Sequence, residues 1–97
     1  MILGFADAET EVIYNGSGGK SARRLLPREL WPLAQRKLDR VNAAADVKDL
    51  RDPPGNRLES LKGDLAGFFS IRINDQYRIV FRFSGGNAAE VRIADYH

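Results

Sequence analysis

Cysteine is absent from this chain, which excludes disulfides and thiolate chemistry and fits a reducing, cytoplasmic setting. Histidine occurs once, as His97, so one chain cannot build a polyhistidine metal site; no metal or other cofactor is expected. No apolar run approaches the ~20 residues of a membrane span. The first residues also lack the charged-then-apolar order of a signal peptide, so no membrane partner is expected. There is no phosphate-binding Gly-x-x-x-x-Gly-Lys loop, no Gly-x-Gly-x-x-Gly and no serine elbow. Internal repeats, low-complexity stretches and linkers are missing too. The 97 residues therefore predict one domain, residues 1–97, with one core.

The charge that is present is unevenly placed. Fifteen Lys and Arg stand against 13 Asp and Glu, a net charge of +2. Bases dominate between positions 20 and 37 and again in the last third, while Asp7, Glu9 and Glu11 gather near the start. An anionic partner such as nucleic acid fits this distribution; a solvated basic surface is the simpler alternative.

Residues 68–97 carry the clearest pattern. Alternating runs are separated by turn signals at Asn74-Asp75 and at Ser84-Gly85-Gly86-Asn87, which predicts an antiparallel meander. Counting in twos places Phe69, Ile71, Ile73, Tyr77, Ile79, Phe81, Phe83, Val91 and Ile93 on one face. Arg72, Arg78, Arg82 and Arg92 fall on the other.

Upstream, residues 1–5 have the length and apolarity of a strand. Asp7 is placed to cap a helix over residues 8–14, with Glu9 and Glu11 in its first turn and Val12 and Ile13 facing inward. Asn15-Gly16-Ser17-Gly18-Gly19 ends it and predicts a flexible loop, with Lys20, Arg23 and Arg24 in or after that loop, either as phosphate contacts or as a plain solvent-exposed linker. Leu30, Ala34, Leu38, Val41 and Ala45 recur at helical spacing. Pro32 leaves two options: an irregular first turn after Pro27, or a regular helix that begins at Pro32. Asp46 can cap a short turn, Pro53-Pro54-Gly55-Asn56 forces another, and residues 57–61 read as a further strand or edge. The predicted class is α+β: an N-terminal strand and two helices packed on a mainly antiparallel sheet, with the arginine face left open.

A basic face with Asp95, Tyr96 and His97 at its edge, and Glu59 and Lys62 nearby, suits phosphodiester transfer on RNA. That reaction needs a group to take the 2′-hydroxyl proton, cations to stabilise charge on phosphorus, and a donor to the 5′-oxygen. Arginine offers a planar fork to phosphate, and histidine is the usual proton-transfer side chain. Tyr77, Tyr96 and Phe68 are candidates to stack unpaired bases. By residue type alone these features reach no further than a basic α+β domain with an affinity for nucleic acid.

Three stretches are more specific in combination. Asn56-Arg-Leu-Glu-Ser-Leu-Lys-Gly-Asp64, Ser70-Ile-Arg-Ile-Asn-Asp-Gln-Tyr-Arg-Ile-Val-Phe-Arg-Phe83 and the final Asp95-Tyr96-His97 resemble the HigB toxins of the RelE/ParE superfamily. The resemblance implies a compact RelE-like fold and an endoribonuclease that cleaves mRNA in the A site of the 70S ribosome, inhibiting translation. It implies neutralisation by a HigA-type helix-turn-helix antitoxin, through which alone the toxin reaches operator DNA. By the same resemblance Lys62 and Arg78 hold the scissile phosphate, and Asp95, Tyr96 and His97 form the catalytic end. Some members have a histidine where this chain has Glu59, which implies slower catalysis or a different use of the residues. Arg72, Arg82 and Arg92 are the expected RNA contacts on the sheet. Two alternatives keep the scaffold without the chemistry: a ParE-like gyrase binder, and a ribosome- or RNA-binding module.

Overall fold

The computed structural model describes residues 1–95. Three α-helices, α1 (Ala8–Asn15), α2 (Lys20–Leu25) and α3 (Trp31–Ala43), precede a sheet of four antiparallel strands: β1 (Glu59–Ser60), β2 (Phe68–Arg72), β3 (Tyr77–Ser84) and β4 (Asn87–Asp95). The strands are ordered β1-β2-β3-β4, each beside its neighbour in sequence. This is the α+β class expected, with one more helix than the sequence suggests.

The expected N-terminal strand is reduced to two isolated parallel bridges, Ile2 to Ala88 and Phe5 to Val91. They still dock residues 1–6 along β4, with Leu3 N donating to Ala88 O at 2.8 Å and Ala6 N to Val91 O at 2.9 Å. The two bridges keep one register across residues 2–5, and the ladder breaks between them where β4 is irregular, with Glu90 at φ 51°.

α1 forms as its capping chemistry dictates. The Asp7 carboxylate accepts from Thr10 N at 2.7 Å, and Gly16, at φ 72°, supplies the left-handed residue that closes the other end. Ile13 is buried and Val12 half-buried. Thr10, also buried, ties the helix to the sheet: its hydroxyl accepts from Ile93 N at 3.0 Å.

At Pro32 the first of the two options holds. A one-turn 3-10 segment, Arg28–Leu30, leads into a regular helix from Trp31, so the proline falls in the first turn, where a missing N–H costs nothing. Trp31 Nε1 donates to Leu26 O at 2.9 Å. The helical stripe ends earlier than its spacing implies. Ala44 is already extended and buried, and Ala45 is exposed, because the helix stops at Ala43.

One core runs between helices and sheet. Ile13, Ala22, Leu26, Leu38, Val41, Ile71, Ile79, Phe81, Val91 and Ile93 meet in it. A bulge separates the Val80–Arg92 pair from the Arg82–Ala89 pair. The extra β4 residue lets Ala88 join Val91 and Ile93 in the core despite its opposite parity.

Candidate active site and nucleic-acid interface

Strand register lays out the second face of the sheet in rows. Arg72 lies opposite Arg78, and Arg78 opposite Ala94. Ser70 lies opposite Val80, and Val80 opposite Arg92. Phe68 lies opposite Arg82, and Arg82 opposite Ala89. Glu59 of β1 pairs with Ser70 at the flank. The parity read from the sequence is therefore correct, and it gathers Arg72, Arg78, Arg82, Arg92 and Glu59 on one surface.

That surface is not left open. Ser70, Val80 and Ala94 are buried, and Arg78 is only 9% exposed. The chain at Arg57 lies against it, because the Arg57 carbonyl and Arg78 satisfy one another. Arg78 Nε donates to Ser70 Oγ at 2.9 Å, and Nη2 donates to Arg57 O at 2.6 Å. Nη1 stands 3.7 Å from the Glu59 carboxylate, whose side chain is 56% exposed. Arg78 is thus held at a fixed place with one edge turned toward an exposed anion.

The other arginines are also engaged. Arg72 pairs with Asp75 across the β2–β3 turn. Arg82 Nε donates to Glu90 Oε2 at 2.8 Å. Arg92 is half-buried and makes no ion pair among the described residues. Exposed ion pairs of this kind hold with about 1 kcal/mol or less, so a phosphate can replace the carboxylate as partner.

Lys62 is exposed where the chain leaves β1. It follows Leu61, whose N–H donates to Phe68 O at 2.8 Å. Asp95 closes β4 opposite Tyr77, one step out of phase with the Arg78–Ala94 pair. Its carboxylate accepts from Gln76 Nε2 at 3.2 Å. Tyr96 and His97 lie outside the described residues. Tyr77 is buried in the core, so it cannot stack a base; it starts β3 on the apolar parity.

Lys20, Arg23 and Arg24 are not in a loop. They belong to α2, which sits in the helical layer with Ala22 in the core. Arg24 lines a cleft with Asp7 and Glu9. The arginine face is on the other side of the sheet, so these three side chains do not join it. A second group of bases does gather on α3. Arg36, Lys37 and Arg40 line a cavity of about 250 Å³ with Leu33, Pro53 and Asn56. Lys37 donates to Asn56 Oδ1. Burial, then the nearby Arg40, Arg72 and Arg36 charges, pulls the Lys37 pKa below its usual value.

Four residues at the site were not singled out from sequence. Ser70 and the Arg57 carbonyl hold Arg78, Gln76 holds Asp95, and Glu90 holds Arg82. Ser70 was available by parity, since it shares a strand face with Arg72. The other three depend on turns and on the bulge, which carry no periodic signal.

Residues 4–97 match the family described as the RelE-like toxin of the type II toxin–antitoxin system HigB. The chain belongs to the HigB-like toxin family. It is 42% identical to Toxin HigB-1 of Vibrio cholerae over 88 residues, covering 91% of this chain and 90% of the relative. It is 33% identical over 66 residues to Endoribonuclease HigB of Proteus vulgaris, covering 62% and 72% of the two chains. Two solved YoeB–YefM complexes from Staphylococcus aureus share the fold, with TM-scores of 0.57 and 0.59 at 17% and 18% identity. Each covers all of this chain and 95% of the other. This HigB-like toxin is accordingly a RelE-like toxin of a type II toxin–antitoxin system. No helix among its described residues is long and apolar enough to cross a membrane.

Proposed function

We propose that this HigB-like toxin is an endoribonuclease that cleaves mRNA in the ribosomal A site and is neutralised by a HigA-type antitoxin. The observation that carries the chemistry is Arg78. A guanidinium anchored by Ser70 and Arg57, with Nη1 facing an exposed carboxylate 3.7 Å away, is pre-organised to exchange that carboxylate for a phosphodiester. The family membership and the name of the Proteus relative support the same reading.

The ribose 2′-hydroxyl attacks phosphorus and its proton passes to a base. The bond from phosphorus to the 5′-oxygen breaks, and an acid protonates the leaving oxygen, giving a 2′,3′-cyclic phosphate and a 5′-hydroxyl end. Arg78 and Lys62 neutralise the charge that grows on the non-bridging oxygens. Asp95, Tyr96 and His97 supply proton transfer and positioning, with Gln76 orienting the Asp95 carboxylate. Glu59 is a further candidate base. Arg72 and Arg92 guide the flanking backbone. The scheme calls for no cofactor.

Primer-extension mapping of a defined mRNA, with and without translating ribosomes, tests this directly. A parallel sample would lack residues 95–97. Cuts that need ribosomes and vanish on truncation are expected. A folded protein that arrests growth yet cuts nothing would overturn the nuclease reading in favour of a gyrase-directed toxin.

A further inference from the structure

At the end of the arginine face away from Arg78, several costly backbone features converge on one side chain. The Arg82 guanidinium carbon lies over the Phe68 ring, 4.2 Å from the ring centroid. Its Nε donates to Glu90 at 2.8 Å. Glu90 reaches it from the β4 bulge and does so at φ 51°, a conformation that side chains other than glycine adopt at a cost. Gly67 has φ 92°, and a Cβ there would meet the Arg82 guanidinium at 3.0 Å. A bulge, a left-handed glutamate and a left-handed glycine all meet at one guanidinium. About half of the Arg82 side chain remains exposed, 48%. An ion pair between strand neighbours needs none of this, since a lysine would make it equally well.

We propose that Arg82, backed by Phe68 and steered by Glu90, is a stacking platform for an unpaired nucleobase of the RNA that this toxin cleaves. The inference rests on the nuclease reading for its substrate. A guanidinium plane takes a base on its free face, and a ring behind it holds the plane rigid. Arg82 and Arg78 share one face of β3, four residues or ~13 Å apart along the strand. A strand whose phosphate sits on Arg78 therefore presents a neighbouring nucleotide to Arg82. The Glu90 carboxylate, accepting only, favours bases that turn an amino group toward it.

Arg82→Lys separates the plane from the charge: it preserves the cation and the Glu90 pair and removes the stack. The probe is a short single-stranded RNA with 2-aminopurine beside a 2′-deoxy scission site, which blocks cleavage, titrated at low salt with the full-length toxin. Wild type is expected to quench the fluorophore, and Arg82→Lys to bind about tenfold more weakly with little quenching. An oligonucleotide abasic at that position should bind both proteins alike. Equal quenching by wild type and Arg82→Lys, or none by wild type, overturns the platform. Ribosome-dependent cleavage measured alongside judges the nuclease reading separately. Cleavage with no quenching sinks the platform alone, whereas quenching with no cleavage sinks the reaction and leaves the stack.

Discussion

Arg78 is the residue where function and stability are hardest to separate. Its guanidinium satisfies Ser70 Oγ and the Arg57 carbonyl inside the fold while one edge meets Glu59. Truncation to alanine should reduce cleavage by ~10²-fold or more and also cost ~1–3 kcal/mol by stranding buried acceptors. Primer extension reads the first effect and urea denaturation the second. Near-normal cleavage by the folded variant would remove Arg78 from the phosphate site. Glu59 permits a sharper test. In the proposed mechanism its carboxylate competes with the phosphate for the same edge of Arg78, so Glu59→His exchanges a competing anion for a proton donor. Cleavage of ribosome-bound mRNA should rise, by up to ~10²-fold; a flat or lower rate contradicts that competition and assigns Glu59 the role of base. The alternation of arginines was legible because a strand repeats every two residues. The partners that hold them were not, because Gln76, Glu90 and Arg57 lie in turns and a bulge, where spacing carries no direction.

α2 is the element that local sequence hides. Asn15 to Gly19 reads as a flexible loop, and Gly19, with no side-chain cap, is a weak start for a helix of six residues. The helix exists because Ala22 enters the core. Ala22→Asp should therefore unfold residues 20–25 and cost ~2 kcal/mol or more by burying a charge. Hydrogen exchange would show lost protection confined to that segment first; unchanged protection would show that α2 stands on its own propensity. α1 and the turn after Asp46 are the opposite case. Their caps are written locally: Asp7 on Thr10 N, and Asp46 with Asp49 in a reciprocal box. Both appear where the sequence places them.

The whole molecule is held by one core shared between three helices and a sheet with only one fully apolar face. Leu38 lies at its centre with no exposed surface. Leu38→Ala should cost ~2–5 kcal/mol, and at ~4–8 °C per kcal/mol the thermal midpoint should fall by more than ~10 °C. The loss should appear at the same temperature by far-ultraviolet and near-ultraviolet circular dichroism, since helices and sheet share that core. Separate transitions would show two units in place of one. By itself, the sequence determined the α+β class, the antiparallel meander, its two faces and the caps of α1, because these depend on periods of two and 3.6 residues and on hydrogen bonds to near neighbours. The tertiary structure alone decided that α2 is a helix, that the N-terminal run makes bridges and not a full strand, and that Arg78 is anchored within the fold. It alone brought Arg82, Phe68, Gly67 and Glu90 together. Those outcomes turn on contacts between distant segments, whose free energies no local pattern encodes.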